Sequence, residues 1–553
     1  MSTPSAWPPS SSSNRQGRCR VDALSRRWSY GRSRCLRRRV APGVEPRRGQ
    51  ACQTEVRDLA GRFVMPGLTD VHNHHALAGR ADLFEVTFSV TATLSQILDA
   101  VRAQATGLPV DAWVIGGSWG SGLMSELATH TARFRLDEAA GGRAVLLTDD
   151  SHHNRWVSSR ALEIAGVTAS APDPEGGQML REDGPPTGVM LEAAGRMMEQ
   201  AVPESARIDA EAQRACSRRG SEILHRHGIT AFQDAAVSTD IMATLKSLDD
   251  EGLLDAWVVT SMLVNDLTFG FAPIGEELCA RGKSYANEHH RPTFVKIFLD
   301  GVPPARTGAF LHPYLPDAHG DHYCGEPTMS PDELLHWMRL GAQAGLSAKV
   351  HCTGDKSVHM VLDAVERLRG EGFTNQRHHI ARGQFIAPDD LPRLAALGID
   401  ADISPFLWVP GVIPQAIAEV LPPERAARMQ PNRDLLDSGA LVAGGSDWPV
   451  SESPNVFEAI AGLVTRQDPT GTFPGALWPE QAVTREEAIE IFSVNGATAM
   501  GLGDITGTLT TGRSADFVML DRDITAVDPT ELLDTTVEET WFAGRQVYAG
   551  SRT

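Results

Sequence analysis

No apolar stretch in the 553 residues approaches the ~18 that a membrane-spanning helix needs, so the bilayer is excluded as the place of work. Cysteine is scarce: there are seven, scattered and odd in number, with no CxxC pair. That spacing rules out a disulfide framework and a thiolate zinc knuckle, and it fits a reducing, cytoplasmic compartment. Positive charge is also short, because 51 Lys and Arg face 70 Asp and Glu for a formal charge of −19. Nucleic acid, which is bound through clustered Lys and Arg, is therefore not the expected partner. A secretory h-region is missing, and the glycine-rich "IGGSWGSG" at 115–122 lacks the GK[ST] ending of a phosphate loop. What is present, 42% hydrophobic and 22% charged residues, describes a soluble globular protein. Its length exceeds the ~150 residues of an average domain, which implies several domains or one large α/β barrel.

The first fifty residues stand apart, with a dozen arginines, clustered serines and no apolar period of helix or strand type. Three readings stay open for residues 1–55: a targeting segment, a basic arm for an anionic partner, or a non-native extension. From about residue 56, apolar runs such as "AVLLTDD" (144–150), "TFVKIFLDG" (293–301), "LSAKVHCTGD" (346–355), "HHIARGQ" (378–384) and "ALVAGGSDWP" (440–449) alternate with helical patterns. Alternating strands and helices imply a parallel sheet, and at this length the expected fold is a (β/α)8 TIM-type barrel over 67–503, with an inserted region around 107–210. Short β runs with Gly and Asp turns after residue 504 predict a small separate β domain over 504–553.

Chemistry in such barrels sits at the C-terminal ends of strands, where His72, His74, His351 and Asp447 fall. In "FVMPGLTDVHNHH" (63–75) successive side chains alternate faces, so His72 and His74 point together and His75 points away. Two imidazoles on one side of a strand end form a natural metal pair. Cys352 follows His351 and faces away by alternation, which marks it as core.

"VMPGLTDVHNHH" resembles the first-strand motif of the amidohydrolase superfamily. "DDSHHNRWVSSRALEIAGV" (149–167), "PDPEGGQMLREDGPPTGVMLEAA" (172–194), "VKIFLDG" (295–301), "VHCTGDKSVHMVLDAVE" (350–366) and "GSDWPVSESPNVFEAI" (445–460) narrow the resemblance to the amidohydrolase 3 group of YtcJ-like and N-substituted formamide deformylase-like proteins. It implies a metal-dependent barrel that hydrolyses C–N bonds, usually of small amides, and a flanking β domain built from both chain ends, here 56–66 and 504–553. Members of the group normally begin with strands of that domain, so if the Arg-rich segment does not fold, the resemblance implies unpartnered C-terminal strands and weak solubility or reduced stability. By that resemblance His72, His74 and His351 are metal ligands, and Asp447 binds metal or takes a proton from the attacking water. Lys296 matches a lysine that in many members is carboxylated and bridges two metals. His153 matches a histidine near the substrate, able to donate to a developing oxyanion. Trp119 belongs to a Gly-Trp loop expected to line the pocket, and Asp300 completes the "DG" turn beside the substrate.

The resemblance breaks at the sixth strand, where the family usually reads "IEH" and this chain reads "RHHIARGQ". Arg382 stands at the ligand position, and a guanidinium cannot coordinate a metal. Three outcomes are open: one divalent ion, zinc foremost, held by His72, His74, His351 and Asp447; two ions through rearrangement around His379; or a degraded site. One ion is favoured over two. By strict alternation His378 shares the face of Arg382 and His379 faces away. Arg382 invites two readings, a clamp for a substrate carboxylate or a partner for a neighbouring acid. The expected function is metal-dependent hydrolysis of a small amide, N-formyl or N-acyl, with a cyclic imide or lactam hydrolase and a non-catalytic binding barrel as alternatives. A homo-oligomer is compatible with all three.

Overall fold

The computed structural model describes residue 59 and residues 61–550, so the readings of residues 1–55 lie outside it. β1 (Phe63–Pro66) leads directly into β2 (Leu68–Asn73), the first barrel strand. β3 (Val86–Thr87), β4 (Trp113–Trp119), β5 (Ala144–Asp149), β6 (Asn154–Val157), β7 (Gly177–Arg181) and β8 (Pro186–Glu192) then build a separate six-stranded sheet in the order β3-β4-β5-β6-β8-β7. The barrel resumes with β9 (Ile229–Val237), β10 (Trp257–Leu263), β11 (His290–Phe298), β12 (Ser347–Cys352), β13 (His378–Arg382), β14 (Ile399–Ile403) and β15 (Val442–Gly444). β16 (Phe517–Leu520), β17 (Val537–Phe542) and β18 (Arg545–Ala549) return to pair with β1, which lies antiparallel to β16.

The eight barrel strands are parallel neighbours in the order β15-β14-β13-β12-β11-β10-β9-β2. Their outward side chains, among them Val258, Ile297, Val350, Ile380 and Ile403, pack against the helices in one apolar core. Strands buried on both faces read as near-continuous apolar runs, which is why they were visible in the sequence. The inserted sheet departs from expectation. It starts at Val86 rather than near 107, because β3 is two residues long and too short to carry a period. "AVLLTDD" is β5 of this sheet and lies within the stretch 107–210 expected to be inserted; apolar runs of equal length look alike in either sheet. Its own core gathers Ile97, Val114, Leu136, Val145 and Trp156. No described helix is long and apolar enough to cross a membrane.

The barrel closes between β2 and β15 through loop backbone rather than a regular ladder. Asp447 N–H donates to His72 O at 2.6 Å, and His74 N–H donates to Trp448 O at 2.8 Å. Buried Asp70 ties the same seam, accepting from the Ser446 hydroxyl at 2.6 Å and from the Ser446 and His72 amides at 3.0 Å. Gly445 is required there, since a Cβ would stand 2.5 Å from His72 Cβ. The seam therefore sets the histidine pair beside Asp447.

Helix α1 (His75–Phe84) starts immediately after that pair, with His74 as its N-cap, and lies against α2 (Ala210–Arg226). The contact is made by glycine: a Cβ on Gly79 would sit 2.0 Å from Cys216 O, and one on Gly220 would sit 2.1 Å from His75 O. Gly79→Ala, ordinarily helix-favouring, is expected to destabilise by about 1–3 kcal/mol through overpacking. It is also expected to loosen metal binding by displacing His74. Urea denaturation with a metal titration checks both effects.

Candidate metal centre

At the mouth of the barrel a small cavity is lined by His72, His74, His152, His153, Lys296, His351, Arg382 and Asp447. His72 Nε2 and His74 Nε2 lie 3.4 and 3.5 Å from Asp447 Oδ1, and the ligand atoms of these three residues fall within 4.8 Å of one another. The imidazoles are oriented from behind. His72 Nδ1 stands 2.7 Å from the Asp402 carboxylate, and His351 Nδ1 stands 3.0 Å from the Asp300 carbonyl. Those oxygens accept, so both Nδ1 atoms carry the proton and both Nε2 lone pairs are free. His351 Nε2 is buried with no hydrogen-bond partner in the protein. Burial and then Lys296 push His72 well below the usual imidazole range, and burial and then His153 do the same for His351. Neutral imidazoles with free Nε2 atoms beside a carboxylate form a donor set that fits a divalent cation.

Asp402 and Lys349 were missed in the sequence. Lys349 Nζ forms an ion pair with Asp402 Oδ2, the same oxygen that receives His72, and donates to Val71 O at 2.9 Å. A charged residue inside an apolar strand, two before His351 in "AKVHC" and mid-strand in "IDADI", was the available signal. Burial raises the Asp402 carboxyl, so its cationic neighbour is what favours the ionised form that His72 needs. Asp402→Asn is expected to weaken metal affinity about 10–100-fold, as loss of an orienting partner does. Competition with a chromophoric chelator reads this directly.

Arg382 reaches Asp447 from the other side, where its Nη2 forms an ion pair with Oδ2. Strict alternation had assigned the faces of β13 incorrectly. Lys349 pairs with His379 and His351 with Ala381, so His379 and Ala381 face the barrel interior. Arg382 leaves the strand at φ 77°, a left-handed conformation that turns its side chain inward. Gln430 Nε2 donates to the Arg382 carbonyl at 2.7 Å and holds that turn. Asp447 is also left-handed, at φ 57°. Burial alone would raise the Asp447 carboxyl, but Arg382, then His72 and His74, hold it far below the usual carboxylate range. His379 does not approach the site: its Nε2 donates to Ala499 O at 3.0 Å, and its ring packs on Phe294 at 4.6 Å.

Lys296 lines the cavity with its ammonium 4.6 Å from the centre of the Phe298 ring, and burial followed by the Lys349 charge pushes it down to about 7. His153 is delivered by the β5–β6 loop, with Nδ1 2.8 Å from Glu192 at the end of β8 and its ring 5.0 Å from His351. Burial opposes ionisation of Glu192, yet the His153 charge and hydrogen bond hold it below the usual range. His152 lines the cavity as well, and its place directly before His153 was the signal for it. His75 turns away, with Nδ1 2.6 Å from Asp234.

Two expected substrate contacts are placed elsewhere. Trp119 is wholly buried in the core of the inserted sheet, its indole N–H donating to Leu147 O at 3.2 Å. Asp300 is buried beneath the site and accepts the amides of Ala309, Thr353 and Gly354 at 2.9–3.0 Å, so it fixes the loop that orients His351. The "DG" spacing identified a turn, and a turn needs a buried acceptor for its amides as much as a ligand does.

The family model for the amidohydrolase family matches residues 55–548. The chain is 28% identical over 528 residues to an N-substituted formamide deformylase of Arthrobacter pascens, covering 91% of this chain and 92% of that protein. It is 26% identical over 516 residues to the amidohydrolase YtcJ of Bacillus subtilis (strain 168), covering 90% and 91%. Among solved structures, an uncharacterised metal-dependent hydrolase of Pyrococcus horikoshii OT3 superposes with a TM-score of 0.66 at 21% identity, over 86% of this chain and 89% of that one.

Proposed function

Because the chain belongs to the amidohydrolase family, we propose that it hydrolyses the C–N bond of a small N-formyl or N-acyl amide, with one divalent cation, zinc foremost, held by His72, His74, His351 and Asp447. The observation that carries this reading is the convergence of His72 Nε2 and His74 Nε2 on Asp447 Oδ1, with His351 Nε2 buried and unpartnered in the same cavity. When bound, such a cation supplies Lewis acidity, lowering the pKa of a coordinated water and polarising the amide carbonyl.

The protein's own groups do the rest. Asp447 would take a proton from the attacking water and pass it to the leaving nitrogen. The Arg382 ion pair holds that carboxyl far below the usual carboxylate range. His153, held through Nδ1 by Glu192, would stabilise the oxyanion that develops on the carbonyl. The fit of one ion rather than two rests on Arg382, whose guanidinium claims the second oxygen of Asp447. The same ion pair favours a second reading, a barrel that binds without hydrolysing, because a fixed cation competes with a metal for that carboxylate.

Metal analysis of the purified protein, together with a hydrolysis screen of N-formyl and N-acyl amines, separates the two. One equivalent of zinc with turnover supports the hydrolase, and a folded, metal-free, inactive protein overturns it.

A further inference from the structure

Glu192 ends β8 at φ 48° and ψ −119°, a left-handed conformation that glycine adopts freely and a side chain disfavours. It is 2% exposed and is not among the residues that line the metal cavity, so it stands behind them. The strained turn gives it a double hold on His153. Its amide donates to the His153 carbonyl at 3.2 Å, and its Oε2 accepts from His153 Nδ1 at 2.8 Å. The other oxygen, Oε1, accepts from the Thr307 hydroxyl at 2.5 Å. Backbone strain persists only where the surroundings over-determine it, and here they do so around one histidine.

Thr307 belongs to the barrel loop that follows β11. Its hydroxyl also accepts from the Val302 amide at 2.9 Å, and its carbonyl accepts from the Gly301 amide at 3.0 Å. Gly301 has to be glycine, since a Cβ would stand 2.0 Å from Glu192 Oε1 and 2.2 Å from Thr307 Oγ1. The same loop begins at Asp300, whose carbonyl holds His351 Nδ1 at 3.0 Å. The rings of His153 and His351 lie 5.0 Å apart, and Phe298 packs edge-on to His153 at 5.9 Å.

Resting on the hydrolase reading above and on the place it gives His153, we propose that Glu192 and Thr307 are positioning residues for that reaction. Thr307 sets the Glu192 carboxylate, and Glu192 fixes the plane of the His153 ring and keeps a proton on Nδ1. One loop thereby holds the metal-side histidine through Asp300 and the substrate-side histidine through Thr307. A mere strut between the inserted sheet and the barrel would need neither hydrogen bond to His153.

The test is a double-mutant cycle on whichever N-formyl or N-acyl amide turns over fastest. Glu192→Met, which keeps the length and deletes both oxygens, is expected to lower kcat about 100-fold with KM and bound metal unchanged. Thr307→Val, which deletes only the hydroxyl, is expected to cost about tenfold, and it stands in should Glu192→Met fail to fold. In a His153→Gln background neither change is expected to lower kcat further, because effects that pass through one group do not add. Additive losses in folded, metal-loaded proteins, or a change in KM alone, overturn the proposal and leave the hydrolase reading intact. Proton NMR on protein with isotope-labelled histidine decides where turnover is too low for the cycle. The Nδ1–H resonance that disappears in His153→Gln is expected to vanish in Glu192→Met and to shift in Thr307→Val. If no amide is cleaved, that pattern supports the positioning chain while the hydrolase reading falls, and a resonance unmoved by either change overturns it.

Discussion

His72→Ala is expected to abolish turnover, by on the order of 10³-fold, and to lower the bound metal at the same time. A Lewis acid contributes several kcal/mol to the transition state, and each ~1.4 kcal/mol is a factor of ten. His72 is the ligand with the most support behind it, since Asp402 and Lys349 exist in the interior to hold its ring and His72 O anchors the closing seam at Asp447. The fold should survive the change, because the side chain is deleted and the backbone bond is kept. Elemental analysis beside kcat on the same preparation checks the coupling: full metal content with lost activity would show that His72 acts otherwise than as a ligand.

Arg382→Met is expected to move stability and metal affinity in opposite directions. Removing one partner of a buried ion pair costs about 3–5 kcal/mol, because Asp447, 1% exposed, is left charged and unpaired. In the metal-free protein this appears as a lower urea midpoint. A divalent cation would find the same carboxylate uncontested, so its affinity is expected to rise and to restore much of the stability. The pH dependence follows from the depressed Asp447 carboxyl. A carboxylate with a lowered folded pKa contributes stability that is present above its unfolded value of about 3.9 and is lost as pH falls toward the folded value. The gap between wild type and variant should therefore be widest near neutrality and narrow below about pH 4. Denaturation curves at pH 7 and pH 3.5 test the sign, and a constant gap would mean that the pair is not what stabilises the wild type.

Much of the architecture was legible in the sequence because barrel strands and their covering helices leave local periods. The apolar runs that became β11, β12 and β13, and the helical pattern that became α2, are of this kind. β3 was not legible, since two residues carry no period, and the apolar run of β5 showed a strand without showing which sheet it joins. At the site, His72 and His74 could be paired by alternation, and the structure turns both onto Asp447. The same rule failed at Arg382, where one left-handed residue resets the direction of the side chain.

What the sequence by itself determined is the set of groups: two histidines on one face of a strand end, a third histidine and an aspartate at other strand ends, and an arginine at the sixth-strand position. What only the tertiary structure decided is how those groups are shared. Asp447 gives one oxygen to the histidines and the other to Arg382, Lys349 and Asp402 support His72 from behind, and Trp119 and Asp300 serve the scaffold. The physical reason is distance along the chain. Alternation and periodicity are set by neighbours a few residues apart, whereas 65 residues separate Arg382 from Asp447 and 330 separate His72 from Asp402, and only closure of the barrel brings them together.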